Sequence, residues 1–196
     1  MDFEAHQIYH VYNQGNNRQQ VFFTDANYLY FIRKMRKHLL PYCDVLCYCL
    51  MPNHFHWLIV PNENGLKPSK VPSIGTTAEG KPRFLANLNA NIATLLSGYS
   101  QAINKQERRS GSLFRRRTKA RDGWVDGFIG IPTSNNFPTR YTVPYAQQCF
   151  RYIHDNPKQA GLVKHPSDWP YSSASDYEGL RSGTLCNQEL KRELLG

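Results

Sequence analysis

The sequence predicts an α+β protein in which helices cover a central antiparallel sheet. Three observations indicate this class: an alternating run near the start of the chain, two segments with apolar residues at helical spacing, and a pair of adjacent apolar runs between them. The order of these elements, β-α-β-β-α-β, is typical of a ferredoxin-like sandwich. We expect the helices on one face of the sheet and the second strand of the apolar pair at its centre.

Two different periodicities predict the first strand and the first helix. Residues 7–12, Gln-Ile-Tyr-His-Val-Tyr, alternate as a half-buried strand does, and a polar loop follows at 13–20. Between residues 25 and 39 apolar side chains recur at helical spacing, and basic residues occupy much of the remainder. The apolar positions of this predicted helix are Tyr28, Phe31, Ile32, Met35 and Leu39.

The middle of the chain predicts a hairpin, a long loop and a second helix. The apolar runs 42–50 and 55–60 are joined by a short turn at Pro52-Asn53, which predicts a hairpin. Residues 61–82 are rich in Pro, Gly, Ser and Lys and predict a long surface loop, of a kind that is usually functional or disordered. Residues 83–106 predict an amphipathic helix.

The last third predicts a strand, an irregular stretch and a short helix. The strand covers 113–121, and the irregular stretch 122–143 contains several Gly and Pro residues. A helix follows from about 144 to 156, with Pro144 in its first turn and Pro157 at its end. The segments 169–179 and 187–195 are expected to be helical and docked. Without repeats or a boundary, we expect one domain over residues 1–196, with a core at about 8–179 and a C-terminal tail at 180–196.

Composition points to a polyanionic partner. The formal net charge is +9, and nucleic acid is the commonest partner of a basic soluble domain. A membrane surface is the competing partner, but no stretch approaches about 20 apolar residues. The first residues lack the pattern of a secretory signal. The 5 cysteines are odd in number and lack the spacing of a disulfide framework. We therefore expect a cytoplasmic, nucleoid-associated protein with reduced thiols.

The segment His54-Phe55-His56 is the strongest chemical signal. Two histidines one residue apart in a strand place both imidazoles on one face, where they can bind a divalent metal. Two alternatives remain open: a pair of half-buried histidines with hydrogen-bonded partners, and a zinc cluster formed with Cys47 and Cys49.

The predicted short helix carries a second constellation. Tyr152 and Asn156 are four residues apart and are therefore neighbours on one helical face. That face lies about a right angle from the apolar stripe at about 100° per residue. The stripe consists of Ala146, Cys149, Phe150 and Ile153. A phenol beside an amide oxygen offers a nucleophile and a metal ligand.

Two motifs in this chain resemble the signature motifs of the REP-associated tyrosine transposases, which belong to the HUH superfamily of single-strand transposases. The motifs are Met51-Pro52-Asn53-His54-Phe55-His56 and Arg151-Tyr152-Ile153-His154-Asp155-Asn156-Pro157. Further similar segments extend from about residue 8 to 179: His10-Val11-Tyr12-Asn13, Gly111-Ser112-Leu113-Phe114 with Arg117, Ala160-Gly161-Leu162-Val163 and Trp169-Pro170-Tyr171-Ser172-Ser173.

The resemblance implies an HUH-type nuclease fold and a metal-dependent transposase or endonuclease. It implies that His54, His56 and Asn156 hold Mg²⁺ or Mn²⁺, and that Tyr152 cleaves one strand through a 5′-phosphotyrosine intermediate. The implied substrate is single-stranded DNA with palindromic hairpins. A monomer is favoured, although a dimer exchanging tyrosine helices stays open. So do two other functions: a hairpin-binding protein that no longer cuts, and a zinc-stabilised RNA-binding domain.

Two polar segments are candidates for DNA binding. On the predicted strand, one face would carry a row of phosphate contacts, Arg115, Arg117, Lys119 and Arg121, with Arg116 in the same run. The polar loop offers side chains of types that contact base edges, Asn13, Asn16, Asn17 and Arg18. The alternatives are a charged edge strand that prevents aggregation and an ordinary turn. The 122–143 stretch is longer than expected and could contact the hairpin or alter how the tyrosine helix reaches the metal.

Overall fold

The computed structural model describes residues 1–76, 82–122 and 143–196 of the chain. Its strands are β1 (Tyr9–Gln14), β2 (Cys43–Met51), β3 (His54–Pro61), β4 (Pro68–Thr76), β5 (Pro82–Ala86) and β6 (Lys119–Asp122). Its helices are α1 (Asp25–His38), α2 (Glu63–Leu66), α3 (Asn87–Gln106), α4 (Val143–Gln159), α5 (Ala174–Tyr177) and α6 (Gln188–Leu195).

Four strands form one antiparallel sheet in the order β2-β3-β1-β6, and β4 pairs with β5 in a separate two-stranded sheet. In the larger sheet β3 lies between β2 and β1, so the strand that carries the histidines is central, as predicted. The α+β class and the ferredoxin-like arrangement are therefore confirmed.

Helices cover both faces of the sheet, and the expectation of helices on one face is wrong. Residues of α1 and α3 pack with Phe55, Trp57 and Ile59 in an aromatic core, whereas α4 packs with Leu58 and Val60 on the other side. The reason lies in β2 and β3, which are buried at nearly every position. A strand that is apolar on both faces needs cover on both faces.

Two predicted irregular or helical segments contain strands instead. The loop expected at 61–82 holds α2, which Asn62 caps by accepting from the amide of Gly65 at 3.0 Å, and the strand β4. The helix expected from residue 83 begins at Asn87, because residues 82–86 pair with β4 as β5. The helical periodicity of the sequence continued into this strand and concealed the boundary.

The predicted strand 113–121 is shorter in the structure and begins at Lys119. Before it, the chain is held to β1 by single hydrogen bonds: the amide of Arg115 donates to Gln14 O at 2.8 Å, and Asn13 Nδ2 donates to Arg115 O at 3.1 Å. A side chain that takes over a backbone acceptor interrupts the regular ladder.

Helix α4 also differs from its predicted end, because Pro157 lies inside it. Backbone hydrogen bonds continue beyond the proline: the amide of Ala160 donates to Asn156 O at 2.9 Å, and the amide of Leu162 donates to Pro157 O at 2.9 Å. In the tail, helix α6 is confirmed, but the region expected to be helical at 169–179 contains only the short α5.

Residues 123–142, most of the stretch that was expected to lengthen the approach to the tyrosine helix, lie outside the described residues. Within the described part of the chain, no helix has the length and apolar character needed to cross a bilayer.

Candidate active site

His54 and His56 lie at the start of β3 with their ring centroids 5.0 Å apart. Each ring is held through its Nδ1 atom. His54 Nδ1 lies 2.6 Å from Asn53 Oδ1, and His56 Nδ1 lies 2.8 Å from His10 Nε2. Because Asn53 uses its Nδ2 to donate to Arg18 O, its Oδ1 is the acceptor and His54 carries its proton on Nδ1. The Nε2 atom of His54 then carries a lone pair.

Burial keeps both imidazoles neutral. The pKa of His54 is lowered chiefly by burial, and a hydrogen bond to Asn156 partly opposes this shift. The pKa of His56 lies well below its ordinary value because of burial and, secondarily, because of His10 and His54 beside it. A neutral imidazole is the form that binds a metal.

Helix α4 places Tyr152 and Asn156 beside these histidines. Its buried residues Ala146, Cys149 and Ile153 pack against the sheet, which turns the neighbouring helical face toward β3. The Tyr152 ring meets the His56 ring edge to face, with centroids 5.5 Å apart. Asn156 Nδ2 donates to Tyr152 O at 2.7 Å.

The Asn156 side chain connects the two halves of this arrangement. It is hydrogen-bonded to the His54 ring and also to the Tyr152 side chain. The pKa of Tyr152 is raised, mainly by burial, while the hydrogen bond with Asn156 acts in the opposite direction. The phenol is therefore neutral at neutral pH and needs activation before it can act as a nucleophile.

These groups open onto a cleft with a volume of about 340 Å³. The structure thus brings together the four residues that the sequence predicted for catalysis and metal binding, and it places basic residues around them. The lining residues are Tyr12, Asn13, Gln14, His54, His56, Arg115, Arg117, Lys119, Tyr152 and Asn156.

The predicted phosphate-binding residues occupy different positions around the cleft. Arg115, Arg117 and Lys119 line it, although only Lys119 belongs to a strand. Arg116 is exposed but does not line the cleft. Arg121 belongs to β6 opposite His10, and its side chain lies outside the described part of the structure.

The predicted base-reading residues divide into one buried and three more accessible ones. Asn13 is only 4% exposed, and its Nδ2 donates to Arg115 O and to Thr118 Oγ1 at 2.9 Å. We therefore propose that it holds the basic segment in place, instead of making the base contacts expected from its residue type. Asn16 donates to Ser112 O at 3.0 Å, whereas Asn17 and Arg18 lie beside it in the same polar loop.

Sequence reasoning missed two aromatic residues that complete the site. His10 and Tyr12 lie two apart on β1, and both contact His56: Tyr12 through rings 5.7 Å apart and His10 through its Nε2 atom. The signal in the sequence was the alternation of β1, which places His10 and Tyr12 on one face of the sheet, opposite to Tyr9 and Val11.

The chemistry of the donors at the cleft fits a divalent cation. In the described residues no group of three or more His, Cys, Asp or Glu side chains is placed to hold a metal ion, so the zinc cluster with Cys47 and Cys49 receives no support. Both thiols are instead part of the apolar cluster beneath α4. Two neutral imidazoles and one amide oxygen could supply three ligands, which would leave positions for water and phosphate oxygens.

A comparison with solved structures agrees with this architecture. No family model and no curated protein sequence matches the chain. A solved structure of a REP-associated tyrosine transposase bound to a REP hairpin is similar, with a TM-score of 0.53 and 15% sequence identity over 95% of this chain and 92% of that one. The chain therefore shares the fold of a REP-associated tyrosine transposase over almost its whole length.

Proposed function

We propose that this protein is a metal-dependent tyrosine transposase with single-strand DNA endonuclease activity, acting on DNA with palindromic hairpins. One observation carries the proposal: a tyrosine and a two-histidine pair, which are far apart in the sequence, face the same cleft and are linked by Asn156. The fold that it shares with a hairpin-bound transposase supports it further.

In this proposal His54 and His56 hold Mg²⁺ or Mn²⁺ through their Nε2 atoms, and Asn156 completes the site with its amide oxygen. Asn156 Nδ2 donates to Tyr152 O, and the amide oxygen is the atom of this side chain that can bind a cation. A bound divalent cation would polarise the scissile phosphate and neutralise charge that develops on it. The protein's part is to hold the donors on a rigid sheet and an adjoining helix.

Tyr152 is the proposed nucleophile. Its phenol oxygen forms a bond to phosphorus, the bond from phosphorus to the 3′ oxygen breaks, and that oxygen leaves as a 3′-hydroxyl after it gains a proton. The phenol proton passes to solvent. The product is a 5′-phosphotyrosine, which is still a phosphodiester, so attack by another 3′-hydroxyl can rejoin strands without an external energy source.

The basic residues around the cleft are proposed to bind the DNA backbone. Arg115, Arg117 and Lys119 line the cleft, and no acidic side chain forms an ion pair with them in the described residues. Phosphate contacts by such residues set position and affinity but not sequence. Arg116, Arg121, Asn16, Asn17 and Arg18 are proposed as further contacts on the same DNA.

The proposed oligomeric state follows from the same geometry. Tyr152 and His56 of a single chain contact each other, which supports a monomer acting with its own tyrosine. A basic DNA enzyme of this kind would act in the cytoplasm, at the nucleoid.

Replacement of Tyr152 with phenylalanine tests the proposal. With a hairpin carrying a single-stranded flank and Mg²⁺ or Mn²⁺, the unmodified protein should form a covalent DNA adduct that survives denaturing electrophoresis, and Tyr152→Phe should form none while still binding the hairpin. Tyr30→Phe, on α1 at the opposite face, is the matched control and should form the adduct. Hairpin binding without an adduct in any metal would contradict catalysis and assign a hairpin-binding function instead.

A further inference from the structure

We propose that His10 is a positioning residue that holds His56 in the tautomer able to bind a divalent cation through Nε2. The inference rests on the proposed function, because it concerns the same metal pocket. His10 belongs to β1 and lies outside both sequence motifs that define the site, so its role emerges only when β1 and β3 pair.

The contact between His10 and His56 is short and buried. His10 is 1% exposed and His56 is 6% exposed, and the two nitrogens are 2.8 Å apart. The rings stack with centroids 5.0 Å apart and an interplanar angle of 25°. In the register of β1 and β3, His10 is opposite Leu58 and Tyr12 is opposite His56, so the two histidines are diagonal neighbours on a rigid sheet.

A 2.8 Å contact between two imidazole nitrogens holds one proton between them, and the nitrogen that carries this proton decides whether His56 can bind a cation. If His56 Nδ1 donates to His10 Nε2, then His56 Nε2 carries a lone pair and can bind a cation. If His10 donates instead, His56 Nε2 carries the proton and cannot. A metal-binding histidine is commonly fixed in this manner by an acceptor at its other nitrogen.

His54, the other histidine of the pair, is also fixed by an acceptor at its Nδ1 atom. Asn53 Oδ1, which can only accept, lies 2.6 Å from His54 Nδ1 and fixes that tautomer from the adjacent turn. At the Nδ1 atom of His56, the equivalent place is taken by His10. One ligand is thus oriented by a local residue and the other by a residue 46 positions away.

The first experiment needs no metal. Two-bond ¹H–¹⁵N correlation spectra of the metal-free protein distinguish a proton on Nδ1 from one on Nε2. We expect His56 to carry its proton on Nδ1 in the unmodified protein and in His10→Gln, because a glutamine amide oxygen reaches the position of the histidine Nε2. A proton on His56 Nε2 in the unmodified protein would overturn the proposal.

The second experiment measures binding of Mn²⁺ alone, by the electron paramagnetic resonance signal of the free ion. Loss of an orienting partner typically weakens metal binding about 10–100-fold, so His10→Leu should raise the dissociation constant by about that factor. His10→Gln should stay close to the unmodified protein, whereas His10→Asn, whose amide is one bond too short, should behave as His10→Leu does.

A matched control separates this role from general packing. His38 is also a buried histidine, with Nδ1 3.1 Å from Asn91 Oδ1, but it lies on α1 at the opposite face of the sheet. His38→Leu should leave Mn²⁺ binding unchanged. Equal Mn²⁺ affinity in His10→Asn and the unmodified protein would overturn the inference, and because asparagine keeps a polar amide, this comparison still decides if His10→Leu fails to fold.

Failure of the inference and failure of the proposed function give different results. If the unmodified protein binds no Mn²⁺ and forms no adduct, the proposed function fails. If it binds Mn²⁺ and forms the adduct, but the His10 variants bind as well as it does, only the role of His10 fails.

Discussion

The two faces of strand β3 lie in different surroundings. Phe55 and Trp57 point into the core beneath α1 and α3, both are 0% exposed, and their rings lie 4.2 Å apart. His54 and His56, which alternate with them, face α4 and the cleft. One strand therefore supplies packing residues on one side and the histidines of the cleft on the other, because successive side chains point to opposite faces.

The two faces also differ in how far apolar residues of the described structure cover them. The aromatic face is closed, since Phe31, Tyr99 and Phe114 join Phe55 and Trp57 in a single buried cluster. On the other face, α4 supplies apolar cover where it packs with Leu58 and Val60. Among the described residues, the polar side chains of this face lie beside that cover and line the cleft. A rigid closed face is what allows the open face to hold donors in fixed positions.

The largest expected effect is a loss of stability when the aromatic face is changed. Trp57→Ala should lower the free energy of unfolding by about 3–5 kcal/mol, since it removes a buried aromatic side chain and leaves a cavity. Chemical denaturation measures this. A loss under about 1 kcal/mol, close to the range of a surface substitution, would contradict the idea that the aromatic face supplies the packing.

The next effect lies on the opposite face of the same strand. His56→Ala should reduce the rate of adduct formation about 10²–10³-fold, because one ligand of the proposed cation is removed. The free energy of unfolding should fall by about 1–3 kcal/mol, because His10 loses a buried hydrogen-bond partner. A single-turnover assay and a denaturation curve measure the two quantities. His38→Ala is the control on the other side of the sheet and should keep full activity. A stable His56→Ala protein with unchanged rate would remove the proposed metal role.

A smaller effect sharpens the electrostatic contrast between the faces. Replacement of Arg115, Arg117 and Lys119 with glutamine should weaken hairpin binding and reduce the slope of log K against log salt by about 0.7 for each single-strand phosphate that the variant no longer neutralises. The triple variant Arg33→Gln, Arg36→Gln, Lys37→Gln on α1 removes the same charge from the opposite face. If both variants change the slope equally, the cleft has no special part in DNA binding.

The smallest effect concerns the segment that carries these basic residues. Asn13→Ala should destabilise the protein by about 1–3 kcal/mol, because the carbonyl of Arg115 and the hydroxyl of Thr118 lose a buried partner. Asn16→Ala, which removes an exposed hydrogen bond to Ser112, should cost less. Equal costs in thermal or chemical unfolding would mean that Asn13 does not hold the segment.

Much of the fold was predictable because its signals are local. Helix α1 and strands β2 and β3 have periodicity and turn residues within a short window, and the structure has them where expected. One error occurs where a distant residue decides: the strand after Leu113 is interrupted by Asn13, which is 102 positions from Arg115. Another is local, because α4 continues past Pro157 through the hydrogen bonds of its last turn.

The candidate site divides in the same way. Spacing alone indicated that His54 shares a strand face with His56, and that Tyr152 shares a helical face with Asn156, because both relations depend only on backbone geometry. That the two pairs meet, that Asn156 bridges them and that His10 contacts His56 depend on strand order and on the packing of α4. Those relations join residues far apart in the chain, and local periodicity carries no information about them. Short-range pattern determined which side chains could react, and the packing of distant segments decided which of them stand together.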